Sequence, residues 1–180
     1  AAWFEGWGGK GGNVRIDSLL PHRKHARSAA DTLRAHGIDP LVLEHPKGYG
    51  VVTLHRPSNV DDPQTLRSLL VTLGDVAKDL PLVFAMHPRT RSNIDKLQLG
   101  ALVDPARLVL LPPQGYLEML GLMSGATLVL TDSGGLQEET TALGVPCLTL
   151  RANTERPITI EQGTNTLVGT DRAVILLAVA

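Results

Sequence analysis

Thr127-Leu-Val-Leu-Thr-Asp-Ser-Gly-Gly-Leu-Gln-Glu-Glu-Thr-Thr-Ala-Leu-Gly-Val-Pro-Cys-Leu-Thr-Leu150 is the stretch that decides the fold. Its two ends, Thr127 to Thr131 and Pro146 to Leu150, are continuous apolar runs of strand length, and helical sequence lies between them. An apolar run with no polar alternation suits a strand buried on both faces, and a helix joining two such runs makes a right-handed crossover. Working outward, Tyr49 to Leu54, Pro81 to Met86 and Arg107 to Leu111 repeat the form, and Thr166 to Val168 is a weaker copy. The intervening segments read as helices. Asp17 to His36 has helical spacing and stops at Gly37, a fitting residue just past a helix end. Asp62-Pro63 reads as an N-cap followed by a proline at the first helical position, with leucines recurring to Leu80. A polar helix is expected from about Thr90 to Gln98 and a last one from near Asp171. Strands alternating with helices predict a doubly wound α/β domain, a Rossmann-like parallel sheet covered on both faces.

Composition narrows the rest. The chain has 180 residues, of which 43% are hydrophobic and 19% charged, so it is neither disordered nor a polyelectrolyte. A net charge of −1 shows none of the basic excess expected of a protein that grips nucleic acid through its phosphates. No apolar run approaches the ~20 residues of a membrane-spanning helix, and the reading expects no signal peptide and a cytoplasmic protein. The single cysteine, Cys147, allows no internal disulfide and no thiolate metal cluster, and no histidine pair has ligand spacing with a carboxylate, so no metal is expected. Trp3, Phe4 and Trp7 crowd the first seven residues, leaving Tyr49, Phe84 and Tyr116 for the remainder and implying an aliphatic core. With five glycines from Gly6 to Gly12, residues 1–11 read as a leader outside the fold, and residues 12–180 as the domain.

Sheets of this kind bind ligands beyond the carboxyl ends of their strands, so the residues after each apolar run carry the chemistry. Asp132-Ser133-Gly134-Gly135 joins a strand to a helix through two glycines, which lets a ligand approach the backbone closely. The first amides of that helix lack intrahelical partners and sit at the positive end of its dipole, where a phosphate fits and the Ser133 hydroxyl can add a hydrogen bond. One turn on, Glu139 shares a face with Gly135 and can accept two hydrogen bonds from a vicinal diol such as a ribose. Plain capping by Asp132 or Ser133 explains the same letters. His55-Arg56 supplies an acid or base near neutral pH and a phosphate clamp, with an exposed loop as the alternative. His87 shares that geometry without a nameable partner. Arg151 to Arg156 reads as a phosphate or sugar grip, or as a salt-bridged loop, and His22, Lys24, His25 and Arg27 as a solvated basic helical face.

With those residues in view, the chain resembles the non-hydrolysing UDP-N-acetylglucosamine 2-epimerases, in their C-terminal half, from about Gly12 to Asp171. Carrying the resemblance are Val52-Thr-Leu-His-Arg-Pro-Ser-Asn-Val60, Met86-His-Pro88, Leu111-Pro-Pro-Gln-Gly-Tyr-Leu117, Leu130-Thr-Asp-Ser-Gly-Gly-Leu-Gln-Glu-Glu139, Leu143-Gly-Val-Pro146, Asn153-Thr-Glu-Arg-Pro157, and Gly163-Thr-Asn with Leu167-Val-Gly-Thr-Asp171. The resemblance implies a GT-B-type fold, two Rossmann-like domains with the active site between them, of which this is the second. It implies interconversion of UDP-N-acetylglucosamine and UDP-N-acetylmannosamine for cell-envelope polysaccharide. The route eliminates UDP to a 2-acetamidoglucal and re-adds it after C2 has changed configuration, with no cofactor.

Residue by residue, the resemblance makes His55 the active-site histidine near the diphosphate, with Arg56 beside it. Gln114 and Met119 fall at uridine-contacting positions, Met119 replacing a commoner aromatic. Ser133, Gly134 and Gly135 match the diphosphate turn, Glu139 the ribose acid, and Arg156 an arginine near phosphate and hexose. His87 aligns with a residue that belongs, in some bacterial members, to a regulatory UDP-N-acetylglucosamine site. The partner expected is therefore UDP-N-acetylglucosamine or UDP. Residues 1–11 and the tail Ala173 to Ala180 fall outside the resemblance, and the family's N-terminal domain, which carries the acids for C2, and its final C-terminal helices are expected to be absent. The chain is thus expected to be a fragment that is inactive alone, whose apolar tail leaves it prone to form homo-oligomers. Two other classes stand beside this reading, a GT-B-type glycosyltransferase domain and a stand-alone nucleotide-sugar-binding module. His55-Arg56 together with Asn153 to Pro157 favours the epimerase over the first.

Overall fold

The computed structural model describes residues 19, 21–154, 158–161 and 163–180. Six strands form one wholly parallel sheet: β1 (Gly50–Thr53), β2 (Leu82–Ala85), β3 (Leu108–Leu111), β4 (Leu128–Thr131), β5 (Cys147–Thr149) and β6 (Asn165–Leu167). Their spatial order is β3-β2-β1-β4-β5-β6. The chain builds outward from β1 in one direction, returns, and builds outward in the other, so the order reverses between β1 and β4. The predicted Rossmann-like sheet is the one observed, with β1 to β5 as strands of three or four residues inside the five- or six-residue apolar runs and β6 one residue ahead of the weaker run Thr166 to Val168.

Helices cover both faces. They are α1 (Ala29–Ala35), α2 (Pro57–Val60), α3 (Pro63–Ala77), α4 (Pro88–Lys96), α5 (Tyr116–Ser124), α6 (Gly134–Leu143), α7 (Ile158–Glu161) and α8 (Arg172–Val179). On one face Leu66, Leu69, Leu70 and Leu73 of α3 meet Leu82, Phe84, Leu108, Leu130 and Leu148 of the strands. On the other, Val51, Val83, Val109 and Val129 meet Leu33 of α1 and Leu122 and Met123 of α5. Leucine dominates one face of the sheet, where Phe84 and Val52 also lie, and valine the other, where Leu111 joins it. Asp62 caps α3 through the Thr65 amide at 2.9 Å, with Pro63 at the first helical position. The polar helix starts earlier than expected, at Pro88, because His87 caps it.

One expectation needs correction. The helix read from Asp17 to His36 does not continue through residues 24–28: a new helix, α1, starts after Ser28, whose hydroxyl accepts from the Asp31 amide at 3.1 Å. The cause is long-range. The Arg27 amide donates to the Leu117 carbonyl at 3.2 Å, and a Cβ at Gly121 would lie 1.6 Å from the Arg27 carbonyl oxygen. His22, Lys24, His25 and Arg27 are exposed but share no single helical face. The apolar tail, in turn, finds a partner within its own chain. In α8, Ile175 is fully buried and Leu176 and Val179 pack on the α3 face, while Arg172 ties the helix to Asp75 of α3 at 2.6 and 2.9 Å. Only Val174 and Leu177 of that helix remain exposed hydrophobics. The leader read at residues 1–11 lies outside the described residues. Among the described residues no helix is long and apolar enough to cross a membrane.

Candidate functional site

At the carboxyl ends of β1, β2 and β4, where the strand order reverses, lies a cleft of about 460 Å³. His55, His87, Gln114, Met119, Ser133 and Glu139 all line it, together with Tyr116 and Leu136. A larger cavity of about 700 Å³ opens elsewhere, between α3 and α8 beside Lys47 and Thr127. It lies at the amino-terminal side of the sheet, away from the strand ends at which folds of this type bind ligands.

The turn after β4 leads straight into the N-terminus of α6. Ser133 is the N-cap of α6; its hydroxyl oxygen accepts from the Leu136 amide at 3.5 Å, and the hydroxyl proton remains for a ligand. Ser133's own amide is taken by the Thr131 hydroxyl at 3.0 Å, and Thr131 in turn bonds Thr53 across β1 and β4 at 2.7 Å. The amides of Gly134 and Gly135 stand at the positive end of the helix. Gly134 has no positive φ, and a Cβ built there meets nothing within 4 Å. Neither backbone conformation nor packing therefore demands glycine at this position.

His55 is held from behind. Its Nδ1 lies 2.8 Å from Oδ1 of Asp132, a residue with no solvent exposure. The same carboxylate accepts from the amides of His55 (3.1 Å to each oxygen) and Arg56 (2.9 Å) and from Asn59 Nδ2 (3.0 Å). Asn59 also donates to the Leu150 carbonyl at 3.2 Å, so one cluster clips the ends of β1, β4 and β5 together. Burial alone would raise the Asp132 carboxyl, but the donors from His55, Arg56 and Asn59 outweigh it and hold it below the usual carboxylate range. A lowered folded pKa means the charge stabilises the fold fully above the unfolded value of about 3.9 and stops doing so as pH falls through the folded one. Asp132 is not a helix cap; Ser133 takes that role, and the Asp-before-Ser pattern conceals a histidine partner.

The remaining candidates separate clearly. His87 faces His55 with ring centroids 6.0 Å apart, and its Nδ1 accepts the Arg89 amide at 3.2 Å. Arg89 is spent on Asp61, an ion pair that ties α4 to the end of α2. Gln114 donates its amide nitrogen to the Pro112 carbonyl at 2.8 Å and contacts His36 Nε2 at 3.0 Å, so its nitrogen is engaged within the chain. Met119 is half-buried at the cleft wall. Glu139 is buried along the cleft, whereas the equally buried Glu138 does not line it. Arg56 offers its amide to Asp132, and its half-buried side chain does not line the cleft. Arg156 lies outside the described residues. Among the described residues no three His, Cys, Asp or Glu side chains gather as metal ligands.

Comparison with known proteins places this geometry. The family model described as UDP-N-acetylglucosamine 2-epimerase matches residues 10–180. The match includes the tail, which corrects the expectation that residues 173–180 fall outside the resemblance. A UDP-N-acetylglucosamine 2-epimerase of Methanococcus maripaludis is 42% identical over 92% of this chain and 45% of its own length. A UDP-2,3-diacetamido-2,3-dideoxy-D-glucuronate 2-epimerase of Pseudomonas aeruginosa is 41% identical over 92% of this chain and 42% of its own. The Methanocaldococcus jannaschii UDP-GlcNAc 2-epimerase, solved in complex with UDP-GlcNAc and UDP, superposes with a TM-score of 0.78 at 36% identity, covering 92% of this chain and 45% of that one. The chain thus spans less than half the length of the relatives it matches. With a family match across nearly all its residues, a parallel 3-2-1-4-5-6 sheet and the strand-end cluster just described, the chain belongs to the UDP-N-acetylglucosamine 2-epimerase family.

Proposed function

We propose that this chain is the nucleotide-binding half of an enzyme that interconverts UDP-N-acetylglucosamine and UDP-N-acetylmannosamine in the cytoplasm, an isomerase that needs its other half to turn over. The diphosphate rests on the amides of Gly134 and Gly135 and the Ser133 hydroxyl. Glu139 accepts from the ribose diol, and the uracil lies against Met119 with the Gln114 oxygen turned toward it. His55 faces the β-phosphate, where charge develops as UDP departs. In the first half-reaction a base removes the C2 proton, the freed electron pair forms the C1–C2 double bond, and the C1–O bond breaks with its pair on the β-phosphate oxygen. Re-addition of UDP reverses these steps on the other face of C2. Stabilising the departing phosphate is the part of this chemistry that the described residues of this chain serve, through His55 and the α6 terminus.

The observation that carries the reading is Gly134, a glycine that the fold does not require, at a helix N-terminus beside His55. Gly134→Ala therefore separates stability from binding. The variant is expected to be as stable as the parent or up to about 1 kcal/mol more stable, since it loses backbone freedom only in the unfolded chain. Its UDP affinity should fall by on the order of tenfold or more, about 1.4 kcal/mol, because the methyl occupies the space of a phosphate oxygen. Calorimetric titration showing equal UDP affinity in the two proteins would overturn the diphosphate assignment.

A further inference from the structure

Asp132 has no solvent exposure and lies directly beneath the place where, on the reading above, a nucleotide diphosphate binds. A buried anion under a bound anion is an expense unless it serves something between them. It is not needed as a cap, because Ser133 caps α6. No described lysine or arginine forms an ion pair with it. What stands between Asp132 and the cleft is the imidazole of His55, with Nδ1 at 2.8 Å from the carboxylate and 41% of the side chain exposed toward solvent.

We propose that Asp132, oriented by Asn59, is a positioning residue that fixes His55 as the Nδ1–H imidazole and turns Nε2 alone to the leaving phosphate. The geometry leaves Nδ1 one role. A carboxylate can only accept, so Nδ1 must carry a proton, and in neutral histidine the other nitrogen is then bare. When Nε2 takes a proton, the imidazolium has its counter-charge already in place behind it and its new N–H aimed into the cleft. The arrangement therefore aims a donor at the β-phosphate oxygen on which negative charge develops. Asn59 makes the acid's orientation single-valued: one amide hydrogen goes to Asp132 at 3.0 Å and the other to the Leu150 carbonyl at 3.2 Å. The His55 and Arg56 amides complete the cradle, so the carboxylate cannot rotate away without losing several bonds at once. This mirrors the general way in which an orienting acid sets a catalytic histidine's tautomer.

The role of Asp132 rests on the epimerase reading, whereas its pairing with His55 does not, and the test separates the two. Long-range proton–nitrogen correlation NMR on the 15N-labelled chain, at a pH where the rings are neutral, reads the tautomer directly. The parent is expected to show His55 protonated at Nδ1 and bare at Nε2. Asp132→Asn should lose that state or mix it with the Nε2–H form, and Asn59→Ala should weaken it while keeping the acid. A parent His55 in the Nε2–H form, or an Asp132→Asn spectrum identical to the parent's, would overturn the pairing; the first outcome needs no variant to fold. In the whole enzyme, Asp132→Asn should lower kcat by about 10²-fold or more, within the range for removing acid–base support, while UDP affinity changes little. Equal losses in kcat and affinity would mean that Asp132 merely holds the loop, and would sink the positioning role. Failure of the parent to bind UDP at all would instead sink the nucleotide reading, with the tautomer result standing on its own.

Discussion

Glu138 and Glu139 are neighbours in sequence and both are buried, yet only Glu139 reaches the cleft, because successive residues of a helix point about 100° apart. If Glu139 accepts from the ribose, Glu139→Ala should cost about 1–3 kcal/mol of UDP affinity, the range for hydrogen bonds to a charged group. The loss should shrink when 2′-deoxy-UDP replaces UDP, since one of the two donors is then already missing. Calorimetry giving the same penalty for both nucleotides would remove Glu139 from the ribose. The residues that sequence singles out as ligand-facing stand immediately after strands or in the first turns of the helices that follow, where a parallel sheet directs side chains to one edge. His55, His87, Gln114, Ser133 and Glu139 could be named for that reason alone. Asp132 could not. Before Ser-Gly-Gly it reads as a cap, and its real partner lies 77 residues away in the chain, with nothing local to mark the pair.

Elements were legible wherever burial is continuous, as in the six apolar runs, and illegible wherever a distant contact intervenes. The interruption before α1 is the clear case: Asp17 to His36 has helical spacing, yet Ser28 caps a new helix and the approach of Gly121 to the Arg27 carbonyl holds the chain just before it. A similar long-range anchor holds β1 to α5. The Tyr49 hydroxyl donates to the Leu122 carbonyl at 2.6 Å, and a Cβ at Gly125 would lie 2.7 Å from the hydroxyl oxygen. Burial pushes the Tyr49 hydroxyl up to about 12. The raised value means that the native state keeps its proton while the unfolded chain, near 10, releases it. The stabilisation is therefore complete below about pH 10 and is lost as pH rises toward 12. Tyr49→Phe should destabilise the neutral-pH fold by about 1–2 kcal/mol, the cost of an unmet buried carbonyl and a lost hydrogen bond. The gap between parent and variant should close with alkalinity; denaturant unfolding with a gap constant from pH 7 to 11 would contradict the anchor.

At the scale of the whole molecule, the cavity beside α8 and the strand-end cleft differ in chemistry. The larger one, at the amino-terminal side of the sheet, is walled by α8 and α3 and has no strand-end residues. Among the described residues, the smaller one holds two histidines, a helix N-terminus and a glutamine, but only one carboxylate, Glu139. Inverting C2 needs a proton taken from one face and returned to the other, which calls for groups on both sides of the sugar. In the proposed pose Glu139 is committed to the ribose, and His55 stands at the phosphate rather than at C2. On that pose the cleft grips the leaving group, but its described residues include no pair of groups to exchange the proton. The expected outcome is that the 180-residue chain binds UDP yet leaves the C2 hydrogen of UDP-N-acetylglucosamine untouched. Incubation in deuterium oxide, followed by NMR of C2, measures this directly. Supplying the other half of the enzyme should start both deuterium incorporation and epimerisation. Deuterium at C2 with the bare chain would mean that a group within this domain is the base, and would move His55 or Glu139 from leaving group and ribose to the reacting carbon.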